Sequence, residues 1–124
     1  MRVNAILTSY QIRETGSRIS TKTLSAESTT SVDENGDIVG IGNAYEQTKY
    51  IFQKIEKYLK EAGSSLENVV WNRMYVTDIS KWEDIGRAHA EFFKDIKPCA
   101  TMVEVKGFIH PDMIVEIETE AIAD

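Results

Sequence analysis

The sequence predicts an α+β fold, with two helices packed on one face of a mostly antiparallel sheet in the order ββαβαββ. Three observations point there. Two stretches carry apolar residues at helical spacing behind cap-type residues. Several segments rich in Val, Ile and aromatics alternate with period two. Strands and helices alternate only in the middle of the chain, which suits helices gathered on one side of a sheet.

The first 16 residues suggest no element. "SRISTKTLSAESTTSV" (17–32) is rich in Ser and Thr and weakly alternating, so two short strands are expected in it. "DENGD" (33–37) carries Asn-Gly, a turn signal. Asn43 can cap the first helix, with Glu46 three residues on. Ala44, Thr48, Ile51, Phe52, Ile55, Tyr58, Leu59 and Ala62 form its apolar stripe, and Gly63 ends it. "NVVWNRMYV" (68–76) is the next strand. Ser80 and Glu83 have capping-box spacing and open a second helix, with Trp82, Ile85, His89, Phe92, Phe93 and Ile96 on one stripe. Lys97-Pro98 closes it. "ATMVEV" (100–105) is a short strand, "KGFIHPD" (106–112) a loop, and "MIVEIETEAIA" (113–123) the last strand.

Composition narrows the function. The 124 residues suit one domain spanning 1–124, and 42% hydrophobic with 27% charged content is ordinary for a soluble protein. No apolar run reaches membrane-spanning length, and the N-terminus lacks a signal-peptide pattern, so no membrane partner is expected. Cys99 is the only cysteine, which excludes an intrachain disulfide and fits a cytoplasmic location. A net charge of −6 without a basic stripe argues against nucleic acid as a partner. His89 and His110 are isolated, so neither a metal nor a cofactor is expected.

The strands can be sorted by face. In the last, Val115, Ile117, Thr119 and Ala121 should meet the helices, leaving Glu116, Glu118 and Glu120 on the other side. In "ATMVEV" the β-branched Thr101, Val103 and Val105 are expected inward, with Ala100, Met102 and Glu104 outward. In "NVVWNRMYV" Val70, Asn72, Met74 and Val76 are expected inward, with Val69, Trp71, Arg73 and Tyr75 outward. Trp, Tyr, Met and Arg on one outer face are interface types, so sheet faces of several subunits are expected to pack together.

"NVVWNRMYVTDISKWEDIGRAHAEFF", "KPCATMVEV" and "VEIETEAIA" resemble the RidA/YjgF family, also called YjgF/YER057c/UK114, over about Val32 to Ala123. The resemblance rests on "VTD" (76–78), "EFF" (91–93), Pro98, "VEV" (103–105) and "EAIA" (120–123) together. It implies a chorismate-mutase-like fold and a homotrimer with a central barrel and small-molecule clefts between subunits. It also implies hydrolysis of reactive imines and enamines, such as 2-iminopropanoate, to 2-keto acids and ammonia. The arginine that binds the substrate carboxylate in those deaminases falls on Ala100, and a guanidinium's bidentate grip is beyond a methyl group. The closing aromatic falls near Gly16, and the water-positioning glutamate on Glu118 or Glu116. Arg73, Arg87 or Lys97 could supply a substitute cation, Arg73 best.

The candidate set is therefore Glu118 as the catalytic carboxylate, with Arg73, Ala100, Met102, Glu116 and Arg87 binding the ligand. The expected function is an imine or enamine hydrolase of altered specificity. The alternatives are a non-catalytic metabolite-binding protein and, less favoured for an acidic chain, an endoribonuclease or translation inhibitor.

Overall fold

The computed structural model describes residues 5–14 and 18–123, and the side chains of residues 29–122. The order is β1 (Ala5–Glu14), β2 (Arg18–Thr29), α1 (Ala44–Glu61), β3 (Val69–Val76), α2 (Trp82–Phe93), β4 (Cys99–Glu104) and β5 (Val115–Ala123). The strands form one sheet in the order β1-β2-β5-β3-β4. All pairings are antiparallel except β3 with β4. The parallel pair is joined through α2, since parallel neighbours need a crossover of helical length. Two helices on one face of a mixed sheet match the expected ββαβαββ architecture. No helix among the described residues is long and apolar enough to cross a membrane.

The core fills the space between helices and sheet. Ile51, Phe52, Ile55 and Leu59 of α1 and Ile85 and Phe93 of α2 meet Val69, Met74, Val76, Val115, Ile117 and Ala121 of the sheet, all buried. The Phe52 ring lies edge-on to Phe93 at 5.1 Å, a favoured aromatic geometry. Asn43 caps α1, its side-chain oxygen accepting from the Glu46 amide at 3.0 Å. Gly63 follows the C-cap with φ 83°, a conformation that suits glycine.

Four expectations need correction. The N-terminal region holds two long strands rather than two short ones in 17–32. No Gly or Pro interrupts Arg18–Thr29, so that stretch runs on as a single strand, and its partner lies in the segment for which no element was expected. The second helix does not open on a Ser80–Glu83 box. Asp78 instead accepts from the Ser80 amide at 3.0 Å and hydroxyl at 2.6 Å, capping a short 3-10 turn, Ile79–Lys81, that leads into α2. Val70 is exposed rather than buried, because the pairing of β3 with β5 shifts register between Val69 and Trp71. Trp82 is 57% exposed and lies off the buried stripe, which Ala88 joins instead.

One buried side chain went unnoticed in the sequence. Gln47, fully buried, donates through Nε2 to the Gly40 carbonyl at 3.2 Å and the Asp112 carbonyl at 2.8 Å. It accepts through Oε1 from the Ile114 amide at 3.1 Å. It thus ties the start of α1 to the segments before it and before β5. Gly40 allows this approach, because a Cβ there would stand 2.8 Å from the Glu46 Cβ.

Candidate functional site

The face of the sheet turned away from the helices carries Arg73, Tyr75 and the three glutamates of β5. Arg73 stands opposite Glu118, Tyr75 opposite Glu116, and Trp71 opposite Glu120 on neighbouring β3 and β5. The side-chain bonds do not follow these pairs; each runs one step along the diagonal. Tyr75 Oη donates to Glu118, and Arg73 Nη1 donates to Glu120 at 2.9 Å. Diagonal neighbours across antiparallel strands are within reach of long side chains. The guanidinium also lies 4.8 Å from the centroid of the Trp71 ring, a cation–π contact.

This offset has an electrostatic consequence. Glu118 and Glu120 each have a donor, while Glu116 has no side-chain partner among the described residues. Burial first, and then repulsion from Glu118, push the Glu116 carboxyl above its ordinary value. The hydrogen bond to Glu118 raises Tyr75 and keeps its hydroxyl protonated, and the bond to Glu120 holds Arg73 charged. Glu116 is thus a carboxyl whose proton affinity the fold raises, beside a second carboxylate held by a tyrosine hydroxyl.

The remaining candidates sit elsewhere. The register pairs Met74 with Met102 and Asn72 with Ala100, so Ala100, Met102 and Glu104 lie on the helix side of β4. Met102 packs against the core, whereas Thr101 and Val103 are exposed on the outer side. The expectation for β4 was therefore wrong by one residue. On an edge strand with little burial on either side, β-branching reports strand preference and not which face is covered. Ala100 and Met102 leave the glutamate face for this reason. Arg87 is on α2, across the sheet from the glutamates, stacked 4.4 Å from the Tyr45 ring centroid and 3.6 Å from Asp84. Lys97 is exposed with φ 53°. Gly16 falls outside the described residues. The sequence reading passed over Glu120 as a site residue; its alternation with Glu118 placed it on the same face, but only the β3–β5 register reveals its bond to Arg73. Among the described residues no three His, Cys, Asp or Glu side chains gather as a metal site would require.

A polar network lies on the opposite, buried side. Thr119 Oγ1 donates to Asn72 Oδ1 at 2.7 Å, and Asn72 Nδ2 lies 3.1 Å from His89 Nε2. With the amide donating, the ring must accept at Nε2 and carry its proton on Nδ1. His89 also packs against the rings of Phe52 and Phe93. Burial lowers its pKa below the ordinary 6.5. The unfolded chain therefore binds a proton at a pH where the folded one does not. Stability is full above 6.5 and falls as pH drops through that value toward the folded pKa. His89→Gln, which keeps a hydrogen-bonding group without the titration, should flatten the decline in melting temperature between about pH 7 and about pH 5.

Comparison with known proteins follows this geometry. The sequence model described as "Endoribonuclease L-PSP" matches residues 20–123. The chain belongs to this family, the YjgF/YER057c/UK114 family. The 3-aminoacrylate deaminase RutC of Acinetobacter baylyi is 34% identical over 90 residues, 73% of this chain and 71% of its own. The crystal structure of Rv2704, a YjgF/YER057c/UK114 member from Mycobacterium tuberculosis, is 33% identical with a TM-score of 0.71, over 91% of this chain and 98% of that one. Yeast Mmf1 superimposes with a TM-score of 0.77 over 99% and 100% of the two chains at 19% identity, which speaks for the fold alone. Within the YjgF frame, Tyr75–Glu118 and Arg73–Glu120 are polar contacts on the outer face of β3 and β5.

Proposed function

We propose that the protein is a homotrimeric hydrolase of small imines or enamines, working in clefts bordered by the outer sheet face. The observation that carries this reading is the Tyr75–Glu118 pair beside Glu116, whose carboxyl burial pushes above its ordinary value. Hydrolysis of an enamine needs a proton delivered to carbon, which gives an iminium. Water then adds to the iminium carbon, and ammonia leaves as the carbonyl forms. Glu116 is suited to give the first proton. Glu118, oriented by Tyr75, is suited to hold the water and take its proton as it adds. The RutC relationship supports an enamine or imine as the substrate class. The exposed Val70, Trp71 and Val103 support burial of this region against further subunits.

Specificity should depart from that of 2-imino acid deaminases. Ala100 offers no cation, and Arg73 is already engaged by Glu120. A charge-assisted hydrogen bond is worth roughly 1.5–3 kcal/mol, so a lost bidentate grip weakens transition-state binding by about 100-fold or more. The test generates imines in situ from neutral and acidic amino acids with an amino-acid oxidase and follows ammonia release. Accelerated release with slow turnover of 2-iminopropanoate is expected, from a species of three chains by light scattering. Ammonia release at the uncatalysed rate from every imine and from 3-aminoacrylate would leave the non-catalytic binding reading. A monomer at micromolar concentration would remove the intersubunit cleft.

A further inference from the structure

The buried network of Thr119, Asn72 and His89 lies directly beneath the outer-face pairs. Asn72 and Thr119 are register partners on β3 and β5. Along each strand their neighbours point to the other face, so the pair stands between Trp71 and Arg73 on one strand and Glu118 and Glu120 on the other. Both side chains are fully buried. Around them the sheet presents Met74, Ile117 and Ala121, and His89 lies among the rings of Phe52 and Phe93.

Polar groups in such surroundings add little to stability. Burying a hydroxyl and an amide costs free energy that their hydrogen bonds only offset, and apolar groups of the same shape commonly serve as well or better. Aliphatic contacts, however, are non-directional and hold two strands without fixing their offset. A hydrogen bond fixes both distance and direction. The network therefore contributes position. His89 sets its sense: the neutral ring, accepting at Nε2, takes the amide nitrogen of Asn72 and so turns the amide oxygen toward the Thr119 hydroxyl.

Two features of the β3–β5 pair need a fixed point here. The register shifts between Val69 and Trp71, just before Asn72, and such an irregularity disrupts the ladder and increases its twist. On the outer face, Arg73–Glu120 and Tyr75–Glu118 are both diagonal bonds. Diagonal neighbours are about 7–8 Å apart, against about 4.5–5.5 Å for direct pairs, so their contact depends more strongly on strand offset and twist.

We propose that Asn72 and Thr119, oriented by His89, are positioning residues for the outer face. Their bond sets the β3–β5 offset at which Tyr75 meets Glu118 and Arg73 meets Glu120. The consequence for rate rests on the hydrolase reading above; the consequence for the Tyr75–Glu118 bond does not.

Thr119→Val keeps the shape of the side chain and removes its hydroxyl. It should lower kcat for ammonia release by about 10–100-fold with KM little changed, as a misplacement of about 1 Å does. Thr119→Ser, which restores the hydroxyl and omits a methyl, should return kcat to within about threefold of the parent. Ile117→Val removes a methyl from the neighbouring buried position and leaves the network whole, so it should lower the melting temperature with kcat unchanged. Asn72→Leu combined with Thr119→Val replaces both partners by apolar groups of matching shape. That double variant should melt close to the parent and still show the low kcat. Tyr75 reports the bond independently of turnover. Its hydroxyl titrates above the ordinary value because it donates to Glu118. In Thr119→Val and in the double variant, its 13Cζ titration should move back toward that value. The proposal is overturned by a parent-like kcat in Thr119→Val or the double variant, by failure of Thr119→Ser to restore it, by an equal loss in Ile117→Val, or by an unmoved Tyr75 titration. If the parent itself releases no ammonia above the uncatalysed rate, the hydrolase reading falls, and the Tyr75 titration alone decides whether the offset depends on this bond.

Discussion

Gln47→Leu should cost the protein about 2–5 kcal/mol of folding stability. The substitution conserves volume and is apolar, so a core position would ordinarily tolerate it. Here it removes the acceptor for the Ile114 amide and the donor for the Asp112 carbonyl in one move, along with one of the two donors to the Gly40 carbonyl, which keeps the Asn43 amide at 2.9 Å. A polar group left dry and unpaired costs about 1–3 kcal/mol. Gly40, Asp112 and Ile114 are only partly buried, so water can recover some of the loss. Against a typical total of 5–15 kcal/mol, the expected effect is a large share of the margin. Urea unfolding should show a lower midpoint with an unchanged slope. A shift below about 1 kcal/mol would mean that the three backbone groups do not depend on this side chain.

Glu118→Gln should reduce catalysed ammonia release by about 10²–10⁴-fold, the range for a positioned proton-transfer group. The amide keeps the shape and can still accept from Tyr75. It cannot take a proton from the attacking water. The loss should fall on kcat with KM little changed, since the role belongs to the transition state. Glu116→Gln provides the complementary readout. A carboxyl raised by burial and by its neighbour keeps its proton further up the pH scale. Activity that needs the proton is present below that pKa and declines as pH rises through it. The variant should lose this declining limb along with most of its rate. A Glu118→Gln enzyme within tenfold of the parent would show that the water is held elsewhere.

What the sequence revealed depended on how local the cause was. Asn43, Glu46 and the Ile51–Phe52–Ile55–Leu59 stripe report a helix through contacts three and four residues apart, and that helix is where the spacing put it. The alternation in Val115–Ala123 reported both faces of β5, because that strand is central and buried on one side. The same logic failed for Thr101 and Val103, where an edge strand has no strongly buried side to report. It failed for Val70, where a register shift breaks the period. The glutamates were visible as a row, but their partners were not. Which donor reaches which carboxylate is fixed by the β3–β5 register and a diagonal offset, and neither is written in either strand alone. Gln47 was invisible because two of its three partners lie more than sixty residues away in the chain.

The position of β5 governs how the molecule can be made. It is the last strand of the chain, yet it sits between β2 and β3 and is the partner of both. During synthesis, at about 5–20 residues per second, β1 pairs early with β2, and β3 and β4 can associate through α2. The two halves have no direct strand contact until β5 leaves the ribosome and threads between them. Its apolar residues Val115, Ile117 and Ala121 complete the core at the same moment. Folding is thus held back until β5 has been made, and a nascent chain stalled before Val115 carries two sticky half-sheets with open edges. Such a chain is a natural substrate for chaperones, and a message truncated there yields no partial product with a closed core.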